Sequence, residues 1–149
     1  MRSFKEDKDF GDKKEDEVIV KVRNHFTEEV GIEKTDNYCV YDYESRSGNT
    51  WEVKSRRVKK DKYDTTIIPV SKVRNTSKRQ FFVFNFLDTC SYIEYDKEVF
   101  KEFTIAPVRV YRAGINDKPR DHFFIPIDML EDLCITNIYP KEIIDDTDT

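Results

Sequence analysis

The sequence is poor in glycine (4) and proline (5), and it contains neither an internal repeat nor a low-complexity linker. Nothing therefore divides its 149 residues into more than one domain. Cysteine is scarce as well. Cys39, Cys90 and Cys134 are far apart, odd in number and show no CxxC spacing, so a zinc ribbon or a disulfide framework is not indicated and buried free thiols are expected. The two histidines, His25 and His122, fall on different predicted elements, which gives little support to a histidine-based metal or nucleophile site. No apolar run approaches the ~20 residues a membrane-spanning helix needs. The N-terminal stretch is polar and acidic where a signal peptide is basic and then apolar, so a soluble chain of the cytoplasm or nucleus, without a membrane partner, is the expectation.

What the chain does have is charge and aromatic side chains. Val, Ile, Tyr and Phe occur in short runs, a composition that favours strands over helices. A chain of this length buries roughly two thirds of its unfolded surface, enough for one compact core. The formal net charge of -4 hides an asymmetry: residues 54–79 contain ten Lys and Arg against only Asp61 and Asp64, while the acidic residues concentrate towards the two ends. Such a basic tract can dock on phosphates within an acidic protein. It is equally the composition of a solvated strand edge, where lysines prevent edge-to-edge pairing.

Residues 1–13 read as a flexible lead-in, residues 14–140 as a single domain, and residues 141–149 as an acidic tail. In 14–29 the apolar residues Val18, Ile19, Val22 and Phe26 recur at helical spacing, predicting an amphipathic helix stopped by Gly31, with a strand through Val18-Ile19-Val20 as the alternative. Glu15 lies on its apolar face one turn before the first core contact, as a first-turn residue favoured by the helix dipole or as a group aimed at a site. Strands are predicted at 64–73, 80–87, 91–95, 104–112 and 122–127. Pro69 marks the first of these as an edge or a bulge, and the FFVFNFL run marks the second as buried on both faces. Asp96 is expected to cap a short helix at 97–103, and Asp128 another through Leu133. The fold class is α+β: an N-terminal helix, a β-meander in a mixed sheet, then further strands and short helices.

The most informative stretch is 38–57, YCVYDYESRSGNTWEVKSRR, in which two alternating runs flank a Ser47-Gly48-Asn49 turn. With a three-residue loop at that turn, Glu44 faces Glu52 and Asp42 faces Lys54, all four on one face of the hairpin. A two-residue loop would send Asp42 and Glu44 to the other face. Carboxylates converging with a lysine have a specific use. They hold a hard cation such as Mg2+ through oxygen; the cation polarises a phosphoryl oxygen and acidifies a water, while the lysine orients that water and offsets transition-state charge.

These residues resemble the PD-(D/E)XK nuclease superfamily, whose core runs helix, three-stranded meander, then a further helix and strand. Asp42 stands where the family has its aspartate, and Glu52-Val53-Lys54 stands as the ExK element after nine intervening residues. Gly11, Glu15, Val18 and Val22 look like the family's GxxxExxVxxxV helix. The resemblance implies a restriction-endonuclease-like core and a metal-dependent endodeoxyribonuclease. On it, Glu15, Asp42 and Glu52 would hold Mg2+ or Mn2+, Lys54 would orient the attacking water, and Arg56, Arg57, Lys59 and Lys60 would contact the nucleic acid. Glu44 competes with Asp42 for its role, and Glu17 with Glu15. DNA is the implied partner, with RNA as the alternative, and a homodimer is expected because cutting two strands needs two sites. The competing readings are a noncatalytic nucleic-acid binder, gripping the backbone through Lys54, Arg56, Arg57, Lys59 and Lys60, and a protein-interaction domain.

Overall fold

The computed structural model describes residues 17–36, 39–109, 111–112, 115–116 and 118–133. The chain is mixed α+β, mostly sheet. A helix at 17–25, α1, is followed by three antiparallel strands: β1 (Glu33–Lys34), β2 (Tyr43–Glu44) and β3 (Thr50–Ser55). A crossover then carries β4 (Thr65–Pro69) and a 3-10 turn, Val70–Lys72, and returns to β5 (Gln80–Asn85), which pairs parallel with β3. After β6 (Cys90–Glu94) come a one-turn helix α2 (Lys97–Phe100), β7 (Thr104–Val108), a small hairpin of β8 (Tyr111–Arg112) and β9 (Ile115–Asn116), β10 (Arg120–Pro126), a second 3-10 turn Ile127–Met129, and β11 (Glu131–Asp132). No helix among these is long and apolar enough to cross a membrane.

Two sheets result. The larger has the order β1-β2-β3-β5-β6-β11, and the smaller has the order β4-β10-β7. Strand periodicity assigns each face of the large sheet its own core. Odd-numbered side chains of β3 and β5, Trp51, Val53, Phe81 and Val83, pack with Val18, Val22 and Phe26 of the helical segment. Trp51 stacks on Phe81 at 5.1 Å, with Phe26 meeting its ring edge-on. On the other face Phe82 and Phe84 join Ile68 of β4, Phe100 of α2 and Phe123 and Ile125 of β10. Each of these buried side chains contributes about 1.5–3 kcal/mol. Every residue of β5, Asn85 included, is buried because the strand is covered on both sides, as the FFVFNFL run predicts, whereas Leu87 beyond its end is exposed. At the β2–β3 end, however, the second face carries Thr50, Glu52 and Lys54 instead of apolar groups.

Several predicted elements are corrected. The helix ends at 25, short of 29, and Gly31 takes its positive φ of 70° in the following loop rather than at the helix end. The strand predicted at 64–73 stops at Pro69, on an edge strand as its proline suggests, and turns into the 3-10 segment. Asp96 caps α2 by accepting from the N–H groups of Glu98 and Val99, but the helix is a single turn. The helix predicted from Asp128 to Leu133 does not form. Residues 131–132 instead pair with Tyr92 and Ser91, so that Leu130 and Leu133 enter opposite cores, which a strand allows. Of the cysteines, Cys90 is a buried thiol whose burial pushes its pKa up to about 11, whereas Cys39 is exposed. Cys134, Glu15 and the Gly11 and Glu15 part of the helical motif lie outside the described residues.

Candidate active site

The turn between β2 and β3 sets the site. Ser45 N–H donates to Asn49 O at 2.9 Å, so the loop is Arg46-Ser47-Gly48, one residue earlier than the turn predicted from the sequence. The reason is backbone conformation. A three-residue hairpin loop needs a left-handed residue at its last position, and Gly48 takes it with φ 94°. Asn49, the alternative, instead uses its side chain to donate to Glu29 Oε2 and to accept the N–H of Arg79, both at 2.9 Å. The register therefore pairs Tyr43 with Trp51 and Glu44 with Thr50, a shift of two from the expected pairing. A two-residue shift preserves which face each side chain takes, so Glu52 and Lys54 remain together while the opposing residues change.

Asp42 lies one residue before β2. Its N–H donates to Trp51 O at 2.9 Å, and its carboxylate accepts the N–H of Val53 at 2.7 Å, taking over where the β2 ladder ends. This brings it beside Glu52. Burial raises the pKa of both acids above the ordinary carboxylate range. For Glu52 the charge of Asp42 raises it further, while for Asp42 the Val53 N–H pulls the other way. Two ammonium groups bracket Glu52: Lys54 Nζ at 3.4 Å and Lys72 Nζ at 3.3 Å from Oε2. Burial lowers the pKa of Lys54, and the Lys72 charge lowers it further, with Glu52 opposing both. Glu44, by contrast, faces Thr50 and accepts from the Tyr41 hydroxyl at 3.3 Å; Asp42 is the acid placed beside Glu52.

The predicted nucleic-acid residues are dispersed. Arg56 turns inward. It donates from Nη2 to Ile67 O at 2.7 Å, lies over the Phe84 ring at 5.7 Å, and has its pKa lowered by burial. Lys60 Nζ pairs with Asp132 at 2.7 Å, and its N–H donates to Asp88. Arg57 and Lys59 are exposed, and Glu17 is exposed at the start of α1.

Lys72 is not singled out by sequence. It stands within the basic tract, in a run that reads as a continuous strand, and the signal that could find it is Pro69, after which the chain turns towards Glu52. Thr35 is likewise missed by sequence; its hydroxyl donates to Tyr41 O at 2.5 Å, with the Asp42 carbonyl 3.2 Å away, and so braces the main chain that leads into Asp42.

No family model matches the chain, and neither a curated protein nor a solved structure is significantly similar to it.

Proposed function

We propose that the chain is a metal-dependent endonuclease that hydrolyses the phosphodiester bonds of DNA at Asp42, Glu52 and Lys54. The observation that carries the reading is the pairing of a buried carboxylate, Glu52, with a half-buried one, Asp42, at the β2–β3 edge, with a lysine two residues along the same strand face. The order of helix, antiparallel meander and crossover to a parallel strand agrees with a restriction-endonuclease-like core, although this crossover carries β4 and a 3-10 turn where that core has a helix.

The donor set fits Mg2+ or Mn2+. These ions bind through one or two carboxylates and complete their shell with water and substrate phosphate, which Asp42 and Glu52 allow. A site built from three or more His, Cys, Asp or Glu does not occur among the described residues, so a closed all-protein cage is not offered. A bound ion supplies Lewis-acid polarisation of a phosphoryl oxygen and a more acidic water. The chain's own residues do the rest. Lys54 Nζ orients the attacking water and offsets the charge gathering on the phosphorus oxygens. Glu52 holds Lys54 in place, and the Val53 N–H fixes the Asp42 carboxylate. Cutting both strands of a duplex requires a second site, and hence a homodimer or two successive encounters.

The test is cleavage of supercoiled plasmid and branched DNA with magnesium or manganese by wild type, Lys54→Ala and Glu52→Gln. Nicking that needs the metal and is lost in both variants supports the proposal. Salt-dependent binding without cleavage of any substrate favours a second reading, which the bracketing of Glu52 by two lysines suggests: a noncatalytic binder in which the acids serve only to place Lys54 and Lys72.

A further inference from the structure

We infer that the crossover between β4 and β5, through Lys72 and Arg74, is the phosphate grip of this site, and that a nucleic-acid backbone runs past the acid pair along it. The inference rests on the reading of the site as one for nucleic acid and relocates its contacts from residues 56–60.

The crossover is fastened beside the acids at several points. Lys72 Nζ reaches Glu52 at 3.3 Å and also donates to Val40 O at 3.3 Å. Arg74 Nη2 donates to Thr50 Oγ1 at 2.7 Å, and its guanidinium lies over the Tyr41 ring at 4.5 Å. The main chain of Arg74 is clasped by the buried Gln80 amide, whose Oε1 accepts the Arg74 N–H and whose Nε2 donates to the Arg74 carbonyl, both at 2.9 Å. Thr50 and Glu52 on the second face of β3 thus each meet a cation from the crossover. Both cations are partly exposed, held on a fixed backbone, and within reach of a phosphate that approaches Asp42 and Glu52.

Beyond the far end of β3, two of the four basic residues of 56–60 are held away from the acid pair. Arg56 is engaged with Ile67 O and the Phe84 ring, and Lys60 Nζ with Asp132. The groove beyond Lys60 is lined by that lysine and by Asp61, Asp64, Asp88, Asp128 and Asp132, whose combined field opposes a polyanion. The adjoining groove lined by Arg56, Arg57, Lys59 and Lys60 carries no acid, so Arg57 and Lys59 are the surface against which the crossover has to be compared.

Fluorescence anisotropy of a labelled DNA duplex in EDTA, titrated with wild type and variants, separates the two surfaces without requiring cleavage. The double variant Lys72→Ala/Arg74→Ala is expected to bind roughly tenfold more weakly and to lower the log–log salt slope by about 2, one for each phosphate that is no longer neutralised. Arg57→Ala/Lys59→Ala should change affinity less than about twofold. Lys72→Arg/Arg74→Lys, which keeps both charges, should restore most of the affinity and so exclude misfolding as the cause. The inference is overturned if the 57/59 variant carries the loss while the 72/74 variant binds as wild type does, or if the charge-preserving variant binds no better than the alanine one. The nuclease proposal is tested separately. Metal-dependent cleavage lost in Glu52→Gln with binding through 72 and 74 unaffected leaves both standing. Loss of binding at 72 and 74 in a protein that never cuts removes the nuclease alone.

Discussion

Lys72 approaches Glu52 to 3.3 Å from the crossover, as close as Lys54 comes at 3.4 Å from the same strand. A carboxylate with only 9% of its side chain accessible is thus held between two ammonium groups from separate parts of the chain. Any divalent cation at Glu52 shares the site with both. Lys72→Ala is therefore expected to tighten Mn2+ binding about two- to fivefold, equivalent to ~0.4–1 kcal/mol of relieved like-charge repulsion. Lys72→Arg should leave it near the wild-type value. Calorimetric titration of each variant measures the difference.

The raised pKa values of Asp42 and Glu52 imply a pH dependence of definite sign. The folded chain holds these two protons more tightly than the unfolded chain does, so the contribution of the pair to stability falls as pH rises from the ordinary carboxylate value through the raised ones. Urea midpoints of wild type should therefore decline relative to those of Asp42→Asn/Glu52→Gln as pH rises above about 4, the ordinary carboxylate value. The comparison is of slopes, because the variant also leaves Lys54 and Lys72 without their acidic partner. A wild-type slope equal to that of the variant would mean the two carboxyls titrate as exposed ones.

Gly48 controls the register that sets Asp42 beside Glu52. A side chain there would have to adopt φ 94°, and its Cβ would lie 3.2 Å from Lys78 Cε. Gly48→Ala should cost about 1–3 kcal/mol, most of it backbone strain, since the Lys78 side chain can move aside. Gly31→Ala meets nothing closer than 3.6 Å and carries only the positive-φ penalty, so its denaturation midpoint should fall by no more than that of Gly48→Ala. Divalent-ion binding should weaken in Gly48→Ala and persist in Gly31→Ala.

Arg56 behaves as a structural residue. Arg56→Ala removes the donor to Ile67 O and the cation over Phe84, and should destabilise the fold by about 1–3 kcal/mol. The salt slope of nucleic-acid binding by its folded fraction should stay at the wild-type value. A reduced slope with unchanged stability would return Arg56 to the phosphate-contacting surface.

How far the sequence discloses this arrangement depends on the range of the interactions involved. The two-sided burial of β5 and the capping of α2 by Asp96 are local or composition-driven, and they are visible in FFVFNFL and in the polar residue before a helix. Glu52 and Lys54 share a face by strand parity alone, which survives a two-residue error in register. The register itself turns on which residue takes a positive φ, and the sequence pattern puts Gly48 at the middle of the loop instead of its end. The approach of Lys72 depends on a chain reversal after Pro69 that brings together residues twenty positions apart. The spacing of Leu130 and Leu133 fits a helix, whereas the open edge of β6 is available to pair with the segment between them.

The nuclease proposal depends on Asp42 and Glu52 binding a divalent cation together, and calorimetric titration with Mn2+ tests that without knowledge of the substrate. Saturable binding by wild type is expected, weakened at least tenfold in Asp42→Asn and in Glu52→Gln, a loss of about 1.4 kcal/mol or more for each carboxylate removed. Equal binding by wild type and both variants, or no saturable heat up to about 20 mM Mn2+, a concentration at which even a millimolar site would be filled, would contradict it.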